Sequence, residues 1–290
     1  MSHTEVEQRR PQAVPPARLE RPQIRRTSLL RQSWVITRRN LIHIRRMPEM
    51  LMDVTLQPVM FVLLFAYVFG GAIAVDGASS GYREWLLGGI MAQTMAFASF
   101  IVAVGLTADI EKGIVDRMRS LPIRRGSVLV GRSFSSLIHS SIGIVVMSLT
   151  GLVVGWRIRG SFVDAVLAYA LLVLWAFAMI WLGILVGSRL RSVEAVNGVM
   201  FTVMFPITFL SNAFAPTDRM PDWLRTVAEW NPISALVQAV RELWGNAEPA
   251  AAGSAWPLQH PVLATVGWTV LLTLVLAPLA LAAFRSRTND

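Results

Sequence analysis

Residues 85–108 read WLLGGIMAQTMAFASFIVAVGLTA, 24 positions without one charged side chain. A bilayer core about 30 Å thick takes about 20 apolar helical residues to cross, so this stretch reads as a membrane span. Uncharged runs of the same kind recur on both sides of it. Val54 to Val75 gives 22 residues, Ser133 to Trp156 and Ala165 to Ser188 give 24 each, Ala195 to Thr217 gives 23, and Pro249 to Phe284 gives 36. The chain has 290 residues and is 54% hydrophobic, a total that decides little alone. The clustering decides the class. The expected fold is all-α and polytopic, with six transmembrane helices at about 51–74, 85–108, 133–156, 165–187, 195–214 and 261–284. No stretch outside the spans is long enough for a separate soluble core.

Charge sets the expected orientation. The segments 1–50, 109–132, 188–194 and 285–290 carry 21 Lys and Arg, against six in 76–84, 156–164 and 214–260. The excess of positive charge belongs inside, which puts both termini in the cytoplasm. The formal net charge of +9 is explained by this topology rather than by nucleic acid. Residues 1–27, rich in Pro, Gln and Arg and without periodicity, read as a disordered cytosolic tail, and 286–290 as a second short tail. Residues 28–47 read as an amphipathic helix lying on the anionic inner leaflet. Arg31, Arg38 and Arg45 repeat every seven residues on its basic face. Leu30, Trp34, Leu41 and Ile44 lie opposite, while Val35 and Ile42 interrupt the pattern. A role as mere topology anchor and a role facing a partner are both open for this helix.

Several chemistries are excluded. The chain has no cysteine, so disulfides, thiolate metal sites and cysteine nucleophiles are out. Its single lysine, Lys112, precedes Gly113 and has no glycine-rich loop before it, so a P-loop is absent and ATP is not bound in that manner. His3, His43, His139 and His260 are too scattered for a zinc motif, and no metal site is expected. Gly131-Arg132-Ser133-Phe134 matches a short Gly-x-Ser-x pattern of intramembrane serine proteases. His139, six residues after Ser133, falls about 200° around the same helix and cannot act as its base. Packing is the better use for Ser133, Ser135, Ser136, Ser140 and Ser141. No acidic residue reaches the middle of a span, which counts against a proton-coupled carrier. Gln93, Thr94, Ser99, Asn197, Thr202, Thr208, Ser211 and Asn212 are mild mid-span polar groups suited to helix contacts or to a weakly polar path. Pro206 is expected to kink the fifth span.

Two segments outside the spans carry further information. Residues 109–122 read DIEKGIVDRMRSLP. Ile110, Ile114, Val115, Met118 and Leu121 share one helical face, charges take the rest, and Pro122 stops the run. A short cytosolic helix over about 110–121 is expected. On the other side, Trp223, Val227 and Trp230 mark one amphipathic helix and Asn231-Pro232 starts a second, within about 221–245. The apolar positions of the second helix are Ile233, Leu236, Val237, Val240 and Trp244, with Gly245 ending it. The tryptophans suggest that both helices lie at the membrane interface.

The run Glu111-x-Gly113-x-x-x-Arg117-x-Arg119-Ser120-Leu121-Pro122, followed by Arg124 and Arg125, resembles the cytosolic loop of type-2 ABC export permeases, in particular their daunorubicin-resistance branch. The likeness extends from about residue 28 to 285. It implies that residues 28–285 form one transmembrane domain of a bacterial cell-membrane exporter for a hydrophobic drug, antibiotic or lipid. It implies a coupling helix that docks on a separate cytosolic ATPase, with Glu111, Gly113, Arg117, Arg119 and Pro122 at the contact. ATP and Mg would be bound by that ATPase, and this chain would hold no cofactor and catalyse no reaction. Two permease chains, identical or paralogous, would pair in lipid. A secondary carrier or channel uncoupled from ATP is the alternative that the residues alone leave open.

Overall fold

In a computed structural model of the chain, residues 34, 35, 37, 38, 42, 49–69, 81–119 and 125–287 are described. All regular structure among them is helical. Helix α1 spans Glu49–Leu64 and runs on into a π-helical turn at Phe65–Phe69. Helix α2 spans Tyr82–Glu111, α3 Ile114–Arg119, α4 Arg125–Val154, α5 Phe162–Arg189 and α6 Val193–Phe209. Past a single 3-10 turn at Thr217–Arg219 come α7 (Asp222–Trp230), α8 (Pro232–Trp244), the one-turn α9 (Trp256–Gln259) and α10 (Pro261–Arg287). Four of these, α2, α4, α5 and α10, are long and apolar enough to cross a membrane, while the stretch 55–68 and α6 are shorter apolar helices.

The bundle is organised on α2 and α5, which share the most extensive helix contact. Small residues permit it. Glycines at 183 and 187 place the α5 backbone against α2 so closely that a Cβ on Gly183 would stand 2.2 Å from the carbonyl oxygen of Ser99. A Cβ on Gly187 would stand 2.7 Å from that of Ala103. Lipid offers no hydrophobic gain for joining helices, so van der Waals contact at such small-residue seams is what holds them. Helix α10 and the short α8 pack on α5 from one side, α4 lies against both α2 and α5, and α1 rests mainly on α4. Helix α6 leans on α2. Within its most apolar stretch α2 is 72% buried and α10 only 17%, so α2 is the centre and α10 the rim. Leu263, Leu271 and Leu274 on α10 and Val145, Leu149 and Val153 on α4 are exposed. Apolar faces that wide suit acyl chains as their solvent.

Several boundaries differ from the expected ones. The fifth apolar stretch ends as a helix at Phe209 instead of 214. Pro206 lies in its last turn, and the cap Leu210 closes on the carbonyl of Pro206 at 2.8 Å. Residues 210–216 then turn without regular structure. The helix expected over 110–121 is broken. Helix α2 runs to Glu111, Gly113 takes φ +65°, and only six residues, Ile114–Arg119, form α3. Glycine enters the left-handed region without the Cβ clash that other residues meet, so Gly113 makes the corner. Residues 120–124, including Pro122, lie outside the described residues. The expected interfacial setting changes for Trp244, which is fully buried and meets Trp156 edge-on at 4.9 Å between centroids. The apolar stripe of α8 faces the bundle, whereas Trp223 and Trp230 on α7 remain exposed.

Candidate functional site

The basic segment before α1 is described at five positions, all helical: Trp34, Val35, Thr37, Arg38 and Ile42. Thr37 is buried and its hydroxyl donates to the carbonyl of Gly131 at 3.0 Å, which docks this segment on the start of α4. Arg38 is exposed. Arg31 and Arg45 lie outside the described residues, as do residues 1–33 and 288–290.

The end of the bundle near Glu111 is tied together by side chains that reach backbone. Asp109 of α2 pairs with Arg132 of α4. Thr107 of α2 donates to the carbonyl of Gly187 at 3.1 Å, and Arg287 of α10 donates to the same carbonyl at 2.8 Å and to that of Leu190. One carbonyl oxygen has two lone pairs, so Gly187 can join three helices at a point. Glu111 closes α2 as an exposed residue beside this node. Arg117 is exposed on α3, and Arg119 is its last residue. The structure therefore brings Glu111, Gly113, Arg117 and Arg119 onto one short segment hung from α2.

The end near Tyr82 carries a buried polar network that the sequence reading missed. Arg241 of α8 has no measurable exposure. Its Nε donates to the carbonyl of Trp85 at 2.7 Å, Nη1 to that of Asn212 and Nη2 to that of Ala213, both at 2.9 Å. Its guanidinium carbon lies 3.3 Å from the centre of the Trp85 ring. Among the described residues no carboxylate pairs with it. Backbone carbonyls freed by the end of α6 and the indole face take the place of a counter-ion. Nearby, Arg159 forks onto both oxygens of Glu84 at 3.0 Å, and Asn246 bridges Glu84 to the indole nitrogen of Trp156. The Glu84 carboxylate, as hydrogen-bond acceptor and as charge, raises the Arg159 pKa above the ordinary arginine value. Asn231 caps α8 through the N–H of Ile233 and holds the last carbonyls of α6, at Ile207 and Leu210. A signal for Arg241 was present, since it follows Ile233 and Val237 at steps of four on the apolar face of α8.

Between these two ends lies a cavity of about 320 Å³, bounded by α1, α2 and α6 with Ser140 of α4 at one side. Its polar groups are Gln57, Gln93, Thr94 and Ser140, and among the described residues no charged side chain lines it. Six phenylalanines do: Phe61, Phe97, Phe100, Phe201, Phe205 and Phe209. Thr94 turns its hydroxyl onto the carbonyl of Ile90 in its own helix, which leaves its methyl for the cavity. Gln93 and Thr94, expected at a weakly polar path, are at this cavity. Ser99, Thr208 and Ser211 are not, since each is buried and bonded to nearby backbone. Ser133 likewise bonds the carbonyl of Leu129 within α4. A mostly apolar hollow of this size with a few polar groups has the character of a small-molecule site.

Several helices long and apolar enough to cross a membrane, with an aromatic cavity beside them, fit a membrane permease. The family model described as ABC-2 type transporter matches residues 31–243, and the chain belongs to that family. It is similar to the daunorubicin resistance ABC transporter permease protein DrrB1 of Streptomyces coeruleorubidus, 28% identical over 86% of this chain and 84% of that one. It is also similar to the doxorubicin resistance ABC transporter permease protein DrrB of Mycobacterium tuberculosis, 26% identical over 88% of this chain and 89% of that one. The chain is a permease subunit of an ABC exporter, a multi-pass protein of the bacterial plasma membrane.

Proposed function

We propose that the chain exports a hydrophobic drug, antibiotic or lipid through the cavity between α1, α2 and α6, driven by ATP and Mg bound to a separate cytosolic ATPase. In this reading six spans, α1 with its π-helical turn, α2, α4, α5, α6 and α10, cross the bilayer. Both termini and the Glu111 end are cytoplasmic, and the Tyr82 end faces outside. Two such chains, identical or paralogous, pair with two ATPase subunits. The ATPase grips Glu111, Gly113, Arg117, Arg119 and Pro122, while the basic segment of Arg31, Arg38 and Arg45 lies on the inner leaflet. The observation that carries the cargo class is the lining of six phenylalanines with no charge among the described residues. In low dielectric, ring faces attract flat apolar solutes and can face a cation, whereas an anionic group would meet no charged partner among the described residues.

Inverted membrane vesicles holding the chain and its ATPase test this reading with daunorubicin as probe, because the relatives bear the names of daunorubicin and doxorubicin resistance. ATP-dependent accumulation is expected. Accumulation that survives ATP removal and stops when the proton gradient is dissipated would replace the exporter by a secondary carrier. Charge reversal at both Arg117 and Arg119 is expected to weaken capture of the ATPase while the chain still inserts in the membrane. Undiminished capture would remove those residues from the contact.

A further inference from the structure

We propose that Phe65 and Phe214 form an aromatic gate across the outer end of the cavity, with Phe214 the fixed post and Phe65 the moving leaf. The proposal rests on the reading of the cavity as the cargo path. Five phenylalanine rings follow one another without a break, Phe61, Phe65, Phe214, Phe209 and Phe205. The centroid distances are 5.9, 4.9, 5.0 and 4.2 Å, and the interplanar angles 14°, 26°, 26° and 24°. Both ends of the series, Phe61 on α1 and Phe205 and Phe209 on α6, line the cavity. Phe65 and Phe214 are the two members that do not, and they join α1 to α6 beyond it. Near-parallel rings at these distances attract through their faces, and they part without breaking a hydrogen bond.

The two sides of the contact are held very differently. Phe214 belongs to the turn after α6, and that turn is fixed on its neighbours at Asn212, Ala213 and Phe214. Tyr82 donates to the carbonyl of Phe214 at 3.1 Å, and Arg241 donates to those of Ala213 and Asn212. Ser234 accepts from the N–H of Asn212 at 3.0 Å. Gly89 of α2 touches the turn so closely that a Cβ there would stand 2.0 Å from the Ala213 carbonyl. Phe65 instead begins the π-helical turn of α1, where Val62 and Ala66 pack inward while Leu63, Leu64, Tyr67 and Val68 are exposed. Widened turns of this kind recur at functional sites. Arg241 and Tyr82 are thus positioning residues for the post, and a displacement of α1 opens the arch. A flat aromatic cargo replaces ring face by ring face as it passes, whereas an aliphatic one breaks the stack without replacing it.

The chain contains no cysteine, so Phe65→Cys with Phe214→Cys introduces the only thiol pair in the protein. Vesicles holding this variant and the ATPase, with daunorubicin as probe, are compared before and after oxidation. Joining the two positions is expected to lower ATP-driven transport about tenfold or more while daunorubicin binding is kept, and reductant restores transport. A joined pair that transports at the unjoined rate overturns the gate. Should the pair fail to fold or to join, Phe214→Ala decides. It is expected to raise ATP-independent loss of preloaded daunorubicin about threefold, with Phe214→Tyr returning it toward the original rate. Equal loss from Phe214→Ala and the unaltered chain overturns the gate. Thr94→Trp, which fills the cavity, separates this from the underlying reading. If it leaves daunorubicin binding intact, the cavity is not the cargo path and the gate falls with it. If it abolishes binding while the joined pair still transports, the gate alone is wrong.

Discussion

The α2–α5 seam and the α1–α6 side of the bundle are built from the same apolar alphabet and behave as opposites. At the seam, glycine lets backbone touch backbone, and Thr107, Gly187 and Arg287 knit three helices at its Glu111 end. On the other side large rings hold α1 and α6 apart and enclose about 320 Å³. Residue size, not polarity, thus divides the part that keeps its shape from the part that can admit a guest. Dense packing makes the first intolerant of one added methyl, and the hollow makes the second tolerant of a lost ring.

Gly183→Leu puts this contrast to its hardest trial. A side chain there meets the Ser99 carbonyl and the Val102 side chain, and the expected cost of about 3 kcal/mol or more leaves little folded protein in a thermal-unfolding assay in detergent. A stable Gly183→Leu protein would show that the seam is not close-packed. Arg241→Met comes next. It strands three buried carbonyls at once, and a loss of about 3 kcal/mol is expected by the same assay, with Arg241→Lys recovering only part because one ammonium cannot fork to three acceptors. Phe205→Ala, on the hollow side, is expected to cost under about 1 kcal/mol, since the ring is already half exposed, yet to weaken daunorubicin binding. Equal destabilisation by Phe205→Ala and Gly183→Leu would erase the distinction between the two regions.

The smallest effect concerns pH. Burial raises the Glu242 pKa above its ordinary value of 4.5, against the pull of Gln238 and the backbone of Ala250. The folded state therefore favours the neutral acid, and this contribution is present below the unfolded pKa and lost as pH rises through the folded one. At pH 7 the charge is a burden. Glu242→Gln keeps an acceptor for Gln238 and is expected to raise the melting temperature slightly at pH 7, a gain that vanishes at pH 4. A gain independent of pH would remove the carboxylate as its cause.

Much of this architecture was legible in the residues. Uncharged runs of 22 or more residues marked the four helices long and apolar enough to cross a membrane and the two shorter apolar ones, and the dipeptide Asn231-Pro232 marked the start of α8. Phe201, Phe205 and Phe209 stand at steps of four, yet the sequence reading did not take them as an aromatic face. Gly183-x-x-x-Gly187 was equally visible and was passed over, although small residues four apart on an apolar helix are the usual sign of close contact. Arg241 escaped for a different reason. Charge was taken as a mark of the exterior, and only its carbonyl partners, from residues 85, 212 and 213, make burial tolerable. Those partners are remote in sequence, as are Phe65 and Phe214, so no periodicity could join them. Gly113 shows the limit at short range. An apolar repeat over Ile110, Ile114 and Val115 continues across it, but the backbone turns the corner there.

The glycines of α5 have a mechanical corollary. With Ser99 and Ala103 carbonyls seated where side chains would otherwise stand, α2 cannot slip along its partner or spin against it without a collision. Tilting is the freedom that remains to the two helices together. A rod of 30 residues is about 45 Å long, so a small rocking imposed beside Glu111 is delivered, as by a lever, to Tyr82 at the opposite face.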